Sequence, residues 1–303
     1  MKIACSTRAL DVYPHRYGEP LPADVRGSVF RWAAAKGFDG VEMEDKWALV
    51  EEMDEPALIA LREQAALFGV TLLMKLHFRD VATESIASNN EAGIRRNIDC
   101  AAILGVPMLS FSLPTPEGVR KEVSANLGRD WRPSSADALP GAYETTIAAV
   151  RRLGVYAGER GVDLTIEMHQ GSIADTSDTL IRVLEGVNLP NVGANPDLSN
   201  LMQMNPSPDE DWRACLARIA KWTNYWHVKN IRKYQVGSGS LMLRRRLDEG
   251  FVDYRWCVAA LIEAGFKGFA VIEGPGFGDH LTVSEEGKNY LRRLIDEHHK
   301  FGI

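Results

Sequence analysis

Short β-rich apolar runs alternate along the chain with longer stretches in which apolar positions recur at helical spacing. The runs predict strands over Ile3–Ser6, Gly40–Met43, Thr71–Phe78, Met108–Leu113, Asp163–His169, Val192–Pro196, Tyr225–Val228 and Phe269–Glu273. Between them the spacing predicts helices near 22–36, 55–68, 88–104, 141–160, 175–187, 209–221, 252–264 and 284–299. Gly37, Gly69, Gly105, Gly161 and Gly265 each stand where a helix gives way to a strand, the place for a left-handed C-cap. Successive βα units with short joints demand parallel strands and right-handed crossovers, and eight such units close into a barrel. The prediction is therefore an α/β chain forming one (β/α)8 barrel domain over 1–303. An open doubly wound sheet is the alternative, but no GxGxxG follows the first run.

Two connections are too long for simple turns, 114–140 and 230–250. Both follow strands, so both fall on the C-terminal face of the barrel, where lids and substrate loops are built. A flexible surface insertion or an oligomer contact is the alternative for each.

Length alone allows two domains, but a barrel of this size is ordinary as one. Of the 303 residues 45% are hydrophobic, and 35 basic side chains stand against 41 acidic ones for a formal charge of −6, which opposes a general nucleic-acid footprint. The four cysteines form no CxxC, so neither a zinc ribbon nor a disulfide framework is indicated, and a cytoplasmic setting is expected. The start does not read as a signal peptide, and no apolar run reaches the roughly 18 residues of a spanning helix, so no membrane partner is expected.

Barrel enzymes carry their chemistry at the C-terminal ends of strands. Here the fifth run ends Glu167-Met-His169, the sixth Asn195-Pro-Asp197, the seventh His227-Val-Lys229 and the eighth Glu273. Packing does not explain four such endings, because Asp and Glu are rarely buried unpaired. Three carboxylates and an imidazole brought to one point repel one another unless a cation sits among them, and oxygen ligands with one nitrogen favour Mn²⁺, with Mg²⁺, Co²⁺ or Zn²⁺ as alternatives. A network of buried ion pairs with Lys229 and Lys75 is the competing explanation. Residues two apart on a strand share a face, so His169 is expected beside Glu167, and His77 beside Lys75. Glu42 and Glu44 share that spacing too, and Lys75 pairing with either is an alternative to its binding a sugar oxygen. Trp47, Trp131, Trp226 and Phe277 stand at strand ends or in long loops, where aromatic faces stack on sugars or fill core. The run Arg244-Arg245-Arg246 reads as a solvated charged face or a phosphate clamp.

These endings resemble the xylose-isomerase-like TIM barrel superfamily, the sugar phosphate isomerase/epimerase family, whose pattern is Glu-x-His, then Asp, then His-x-Lys-Asp, then a late Glu. Ala35-Lys-Gly-Phe-Asp-Gly-Val-Glu42 and Leu261-Ile-Glu-Ala-Gly-Phe-Lys-Gly268-Phe-Ala-Val-Ile-Glu273 are similar to its early and late segments, so the resemblance covers nearly the whole chain. It implies that Glu167, Asp197, His227 and Glu273 ligate one divalent cation. It also implies that Glu167 and Glu273, on opposite sides of a bound sugar, move protons while the metal steadies an enediolate, with His169 assisting. Lys75, His77, Asn200, Lys229 and Trp131 are the expected substrate-binding residues, and Glu42 an inward-facing structural or supporting residue. Two positions depart from the pattern. Asn200 replaces a second histidine and Asn230 replaces the aspartate after His-x-Lys, and both changes are expected on the substrate side.

The expected function is a metal-dependent isomerase or epimerase of a sugar or sugar derivative. A lyase of the same superfamily, a keto-cyclitol dehydratase or a 3-keto-glycoside eliminase, is the nearest alternative, since both begin with proton removal beside a carbonyl. A DNA-repair endonuclease on the same barrel is opposed by the acidic charge and by only seven histidines. A metal-free binding subunit is the remaining class. The expected partner is a small carbohydrate, with a homodimer or homotetramer the assembly that the resemblance implies.

Overall fold

In the computed structural model, residues 1–8, 10–16, 19–116, 133–204, 209–236, 239–274 and 278–303 are described. Eight parallel strands lie in the order β6-β5-β4-β3-β2-β1-β10-β7. They are β1 (Lys2–Ser6), β2 (Gly40–Glu44), β3 (Thr71–Lys75), β4 (Met108–Phe111), β5 (Asp163–Glu167), β6 (Val192–Asn195), β7 (Tyr225–Val228) and β10 (Phe269–Ile272). Seven ladders join them, and β6 meets β7 through one isolated parallel bridge, Ala194 to Thr223. Asn195 spans the same seam, its Oδ1 accepting the backbone N–H of His227 at 2.7 Å. The chain forms a nearly closed (β/α)8 barrel, as its alternation predicts.

The helices that cover the strands are α1 (Ala23–Ala35), α3 (Glu55–Ala66), α4 (Glu84–Leu104), α5 (Ala142–Gly158), α6 (Ser177–Val187), α8 (Trp212–Ile219), α9 (Tyr254–Glu263) and α10 (His280–Phe301). Two short helices, α2 (Asp45–Ala48) and α7 (Leu198–Met202), follow β2 and β6 directly at the barrel mouth. The predicted glycine joints hold: Gly105 and Gly265 have φ of 70° and 84°, a backbone region that side chains with a Cβ enter at a cost.

Three expected strands end two or three residues early. Those starting at Thr71, Met108 and Asp163 stop at Lys75, Phe111 and Glu167, because side chains at the mouth take up backbone groups just beyond them. Asp45 receives the N–H of His77, and Asn200 donates to the carbonyl of Met168. The 230–250 connection is also more ordered than a loop. It folds into an antiparallel ribbon of β8 (Asn230–Val236) and β9 (Gly239–Arg245), paired from Asn230–Arg245 to Val236–Gly239. The middle of the 114–140 connection lies outside the described residues; on its far side Ser135–Asp137 forms a single turn.

Strand alternation sorts the barrel interior by height. Ala4, Leu73, Met108, Tyr225, Phe269 and Val271 make a small apolar cluster. The separate, larger apolar core lies between strands and helices. One step further along the strands the inward positions turn polar: Glu42, Ser110, Asn195 and His227, then Glu44, Lys75, Glu167, Lys229 and Glu273, all buried. Burying so many charged groups is tolerable only where each is paired or hydrogen-bonded.

Candidate metal centre and barrel mouth

Glu167 is the last residue of β5, His227 lies within β7, and Glu273 follows β10. Asp197 caps α7, accepting the N–H groups of Ser199 at 3.1 Å and Asn200 at 3.3 Å, so the turn that starts this helix also aims the carboxylate. One ligand atom from each of these four buried residues lies within 4.8 Å of all the others. Cation–oxygen distances of about 2.0–2.6 Å put neighbouring ligand atoms at such separations, so the donor set fits a hard divalent cation.

Further contacts orient each member. His227 Nδ1 is 3.2 Å from Glu167 Oε1, while Nε2 is 2.7 Å from Glu42 Oε2, which also accepts the Tyr225 hydroxyl at 2.7 Å. Ser112 donates to Glu167 Oε2 at 2.7 Å, and Asn200 Nδ2 to Glu167 Oε1 at 3.3 Å. Lys229 Nζ is 2.5 Å from Asp197 Oδ2 and 2.6 Å from Glu273 Oε2. Lys75 Nζ pairs with Glu273 Oε1 and lies 3.4 Å from Glu167 Oε2, and Arg8 Nη1 adds a bond to Glu273 Oε1 at 2.9 Å.

Burial pushes every carboxyl here upward, and the neighbouring charges decide the outcome. For Glu273 the cations of Lys229, Lys75 and Arg8 win, holding it well below the ordinary range. For Glu167 the same burial is overcome by Lys75 and His227. Asp197 ends raised, because burial and the repulsion of Glu273 and Glu167 outweigh Lys229. Burial pushes the His227 ring down, yet Glu42 and the nearby glutamates lift it to about 10. His169, with burial dominant, falls to about 4.

The other expected substrate residues are spread more widely. Lys75 and Lys229 point into the carboxylate cluster and are buried, as is Asn200 against Glu167. His169 Nδ1 bonds its neighbour's carbonyl, Gln170 O, at 2.7 Å, and its ring meets Phe78 edge-on. His77 lies beyond β3, which ends at Lys75; its Nδ1 is 2.7 Å from Asp45 and its Nε2 4.0 Å from Glu44 Oε2. The expectation for Asn230 is corrected: it is buried and spends its amide on the loop, bonding the carbonyls of Leu247 and Val252 and the N–H groups of Ile231 and Val252. Trp47 and Trp226 belong to the core, packed on Phe30 and Tyr254. Trp131 and Phe277 lie outside the described residues. Of the arginine run, Arg246 pairs with Glu286 on the surface, while Arg244 reaches toward the carbonyls of Glu273 and Gly274.

Sequence reasoning missed Arg8 and Asp45. Arg8 follows Ala4 and Ser6 at the inward spacing of β1, a signal that was there to be used.

Fold and site together define an enzyme-type barrel with a buried carboxylate–histidine cage at the C-terminal ends of its strands. The chain belongs to the xylose isomerase-like TIM barrel family, whose pattern matches residues 30–294. It is 24% identical over 174 residues to an inosose dehydratase of Geobacillus kaustophilus (strain HTA426), a match covering 52% of this chain and 54% of that one. The chain thus spans about half the length of that relative. A xylose isomerase-like TIM barrel protein of Mycobacterium smegmatis, solved in complex with magnesium, superimposes with a TM-score of 0.77 at 23% identity, covering 97% of this chain and 96% of that one. An L-ribulose 3-epimerase superimposes with a TM-score of 0.74 at 13% identity, covering 99% and 96%. No helix among the described residues is long and apolar enough to cross a membrane.

Proposed function

We propose that this protein is a divalent-metal-dependent enzyme that moves a proton on the carbon beside a carbonyl in a sugar or sugar derivative. The observation that carries the reading is the pair Glu167 and Glu273, two buried carboxylates at the ends of separate strands that share Lys75 and belong to one donor set with Asp197 and His227. Those four residues would hold the cation, with Mn²⁺ expected from three oxygen donors and one nitrogen. Its charge would stabilise the negative charge that develops on the carbonyl oxygen and so acidify the adjacent C–H.

Glu167 and Glu273 are kept ionised by their cationic neighbours, so either can accept a proton. Lys75 and Lys229 keep them aligned, and Lys75 faces both. Return of a proton to carbon, from the glutamate that took it or from the second glutamate once solvent has protonated it, gives an isomerase or epimerase. The second reading is a lyase, in which a β-oxygen leaves. It is favoured by Asn200, which stands where the epimerase pattern has a histidine and spends its amide on Glu167 and Met168 rather than on a substrate. The small acidic chain in a cytoplasmic setting fits either.

The test is incorporation of solvent deuterium beside the carbonyl of inosose and of L-ribulose, followed by proton NMR with Mn²⁺, with Mg²⁺ and with chelator. Exchange that needs the cation and disappears in a folded Glu273→Gln protein is expected. Absence of exchange with either probe and either cation would overturn the reading.

A further inference from the structure

The cage itself is sealed: Glu167, Asp197, His227, Glu273 and both lysines are buried. Around it the mouth carries a second set of charged groups. Asp45, at the first turn of α2, accepts the backbone N–H of His77 at 3.1 Å, His77 Nδ1–H at 2.7 Å and Arg79 Nη2–H at 2.8 Å. A carboxylate held by three donors fixes the imidazole with its Nδ1 protonated and its Nε2 turned away. That Nε2 lies 4.0 Å from Glu44 Oε2, and Glu44 Oε1 lies 4.0 Å from Arg8 Nη1, which bonds Glu273. The His77 side chain is 39% exposed and Arg8 31%, so these two open to solvent where the cage does not.

Hydroxide is a poor leaving group, and the cage carboxylates enter the reaction as bases, so a separate group that already carries a proton at the mouth would ease loss of a β-oxygen. We infer that His77, oriented by Asp45, is a third proton-transfer group of this site and delivers its Nε2 proton to a hydroxyl leaving from the carbon β to the substrate carbonyl. The inference rests on the reading of the cage as a proton-abstracting centre and selects its lyase branch.

The step balances without a co-reactant. A cage glutamate takes the proton from the carbon beside the carbonyl, the freed electron pair becomes the new C=C bond, and the C–O bond at the β carbon breaks. The oxygen leaves as water with the His77 proton. Afterwards the glutamic acid gives its proton to solvent and the neutral imidazole takes one back, so the product is the unsaturated carbonyl compound and one water. The substrate class is a polyhydroxy ketone with a hydroxyl β to the carbonyl. Asp45 is a positioning residue: its hydrogen bond is the largest influence raising His77 above the ordinary histidine range, against partial burial, with Glu44 also raising it and Lys75 opposing. The Asp45 contact thereby favours the protonated ring, the form that donates from Nε2.

The experiment uses the full chain loaded with Mn²⁺, with inosose and L-ribulose as probes in D₂O. NMR follows exchange beside the carbonyl, and ultraviolet absorbance follows the unsaturated product. The expected result is that His77→Asn lowers dehydration about 100-fold more than it lowers exchange, a general-acid contribution of ordinary size. Asp45→Asn should shift the basic limb of the dehydration pH profile to lower pH, since the ring then loses its proton sooner. Exchange without dehydration in the unaltered protein would overturn this inference and leave the proton-abstracting cage standing. Equal loss of both activities in His77→Asn would overturn it too. No exchange with either probe would remove the cage reading, and the inference with it.

Discussion

Glu42 Oε2 and His227 Nε2 lie 2.7 Å apart with both side chains buried, so the ring nitrogen that faces the cage is Nδ1. A carboxylate on the far nitrogen fixes the ring's orientation and raises its basicity as a ligand. Replacing Glu42 by Ala should weaken Mn²⁺ binding about 10–100-fold, while Glu42→Gln, which keeps an acceptor, should lose less. Isothermal titration with the cation alone measures this, and equal affinity in all three proteins would refute it.

Asp197 is both a helix cap and a cage member. Asp197→Asn keeps an oxygen for the two α7 N–H groups and removes the charge, whereas Asp197→Ala removes both. Elemental analysis should find about one equivalent of cation in the unaltered protein and little in either variant. Only the Ala variant should lose the additional ~1 kcal/mol of a missing cap, read as a lower urea midpoint. Undiminished metal in both variants would exclude Asp197 as a ligand.

Lys229 neutralises two buried carboxylates at once. Lys229→Met should cost about 3–5 kcal/mol, because it leaves charge buried without a partner. Added Mn²⁺ should recover part of that loss by supplying positive charge at Asp197 and Glu273. A Lys229→Met protein as stable as the parent in chelator would contradict the assignment.

Asn230 and Gly250 form a lock at the base of the β8–β9 ribbon. A Cβ on Gly250 would stand 1.9 Å from Asn230 Cγ, so Gly250→Ala must displace the amide that ties the carbonyls of Leu247 and Val252. The expected loss is about 1–3 kcal/mol, in the range of overpacking, visible in urea denaturation. An unchanged midpoint would mean that Asn230 is not needed in its place.

His77 has a folded-state pKa above its unfolded value, owing first to the Asp45 hydrogen bond. Its contribution to stability is therefore fully present below the unfolded pKa of about 6.5 and fades as pH rises through the folded value. Nitrogen-15 NMR of the imidazole should report a pKa above the ordinary value of about 6.5, and Asp45→Asn should bring it down. A His77 titration unaffected by the substitution would show that the 2.7 Å contact does not form in solution.

Much of this architecture was legible because it is periodic. Glycine joints and apolar runs announce the eight strands, and strand alternation brings Glu167, His227 and Glu273 to one side of the barrel wall. What alternation could not tell is where a strand stops. Once β3 ends at Lys75, alternation no longer places the residues that follow, and His77 takes its position from an aspartate whose own place depends on α2. The same limit hid the role of Asn230, whose bonds reach the carbonyls of Leu247 and Val252 across a turn. The ribbon did leave a trace, Asn230-Ile-Arg-Lys-Tyr-Gln-Val and Gly239-Ser-Leu-Met-Leu-Arg-Arg on either side of Gly237-Ser238, which the length of the connection obscured.

The seam between β6 and β7 gives the barrel wall an uneven resistance to opening. Seven junctions are full ladders, while this one rests on a single bridge and on Asn195 gripping the backbone of His227. Asp197 and His227 stand on its two banks. Opening of the wall at that line would separate the two residues, and a cation held by both would oppose it. Amide protons along β6 and β7 are thus reporters of occupancy: their exchange with solvent should slow when the cage is filled, with no change in the shape of the barrel.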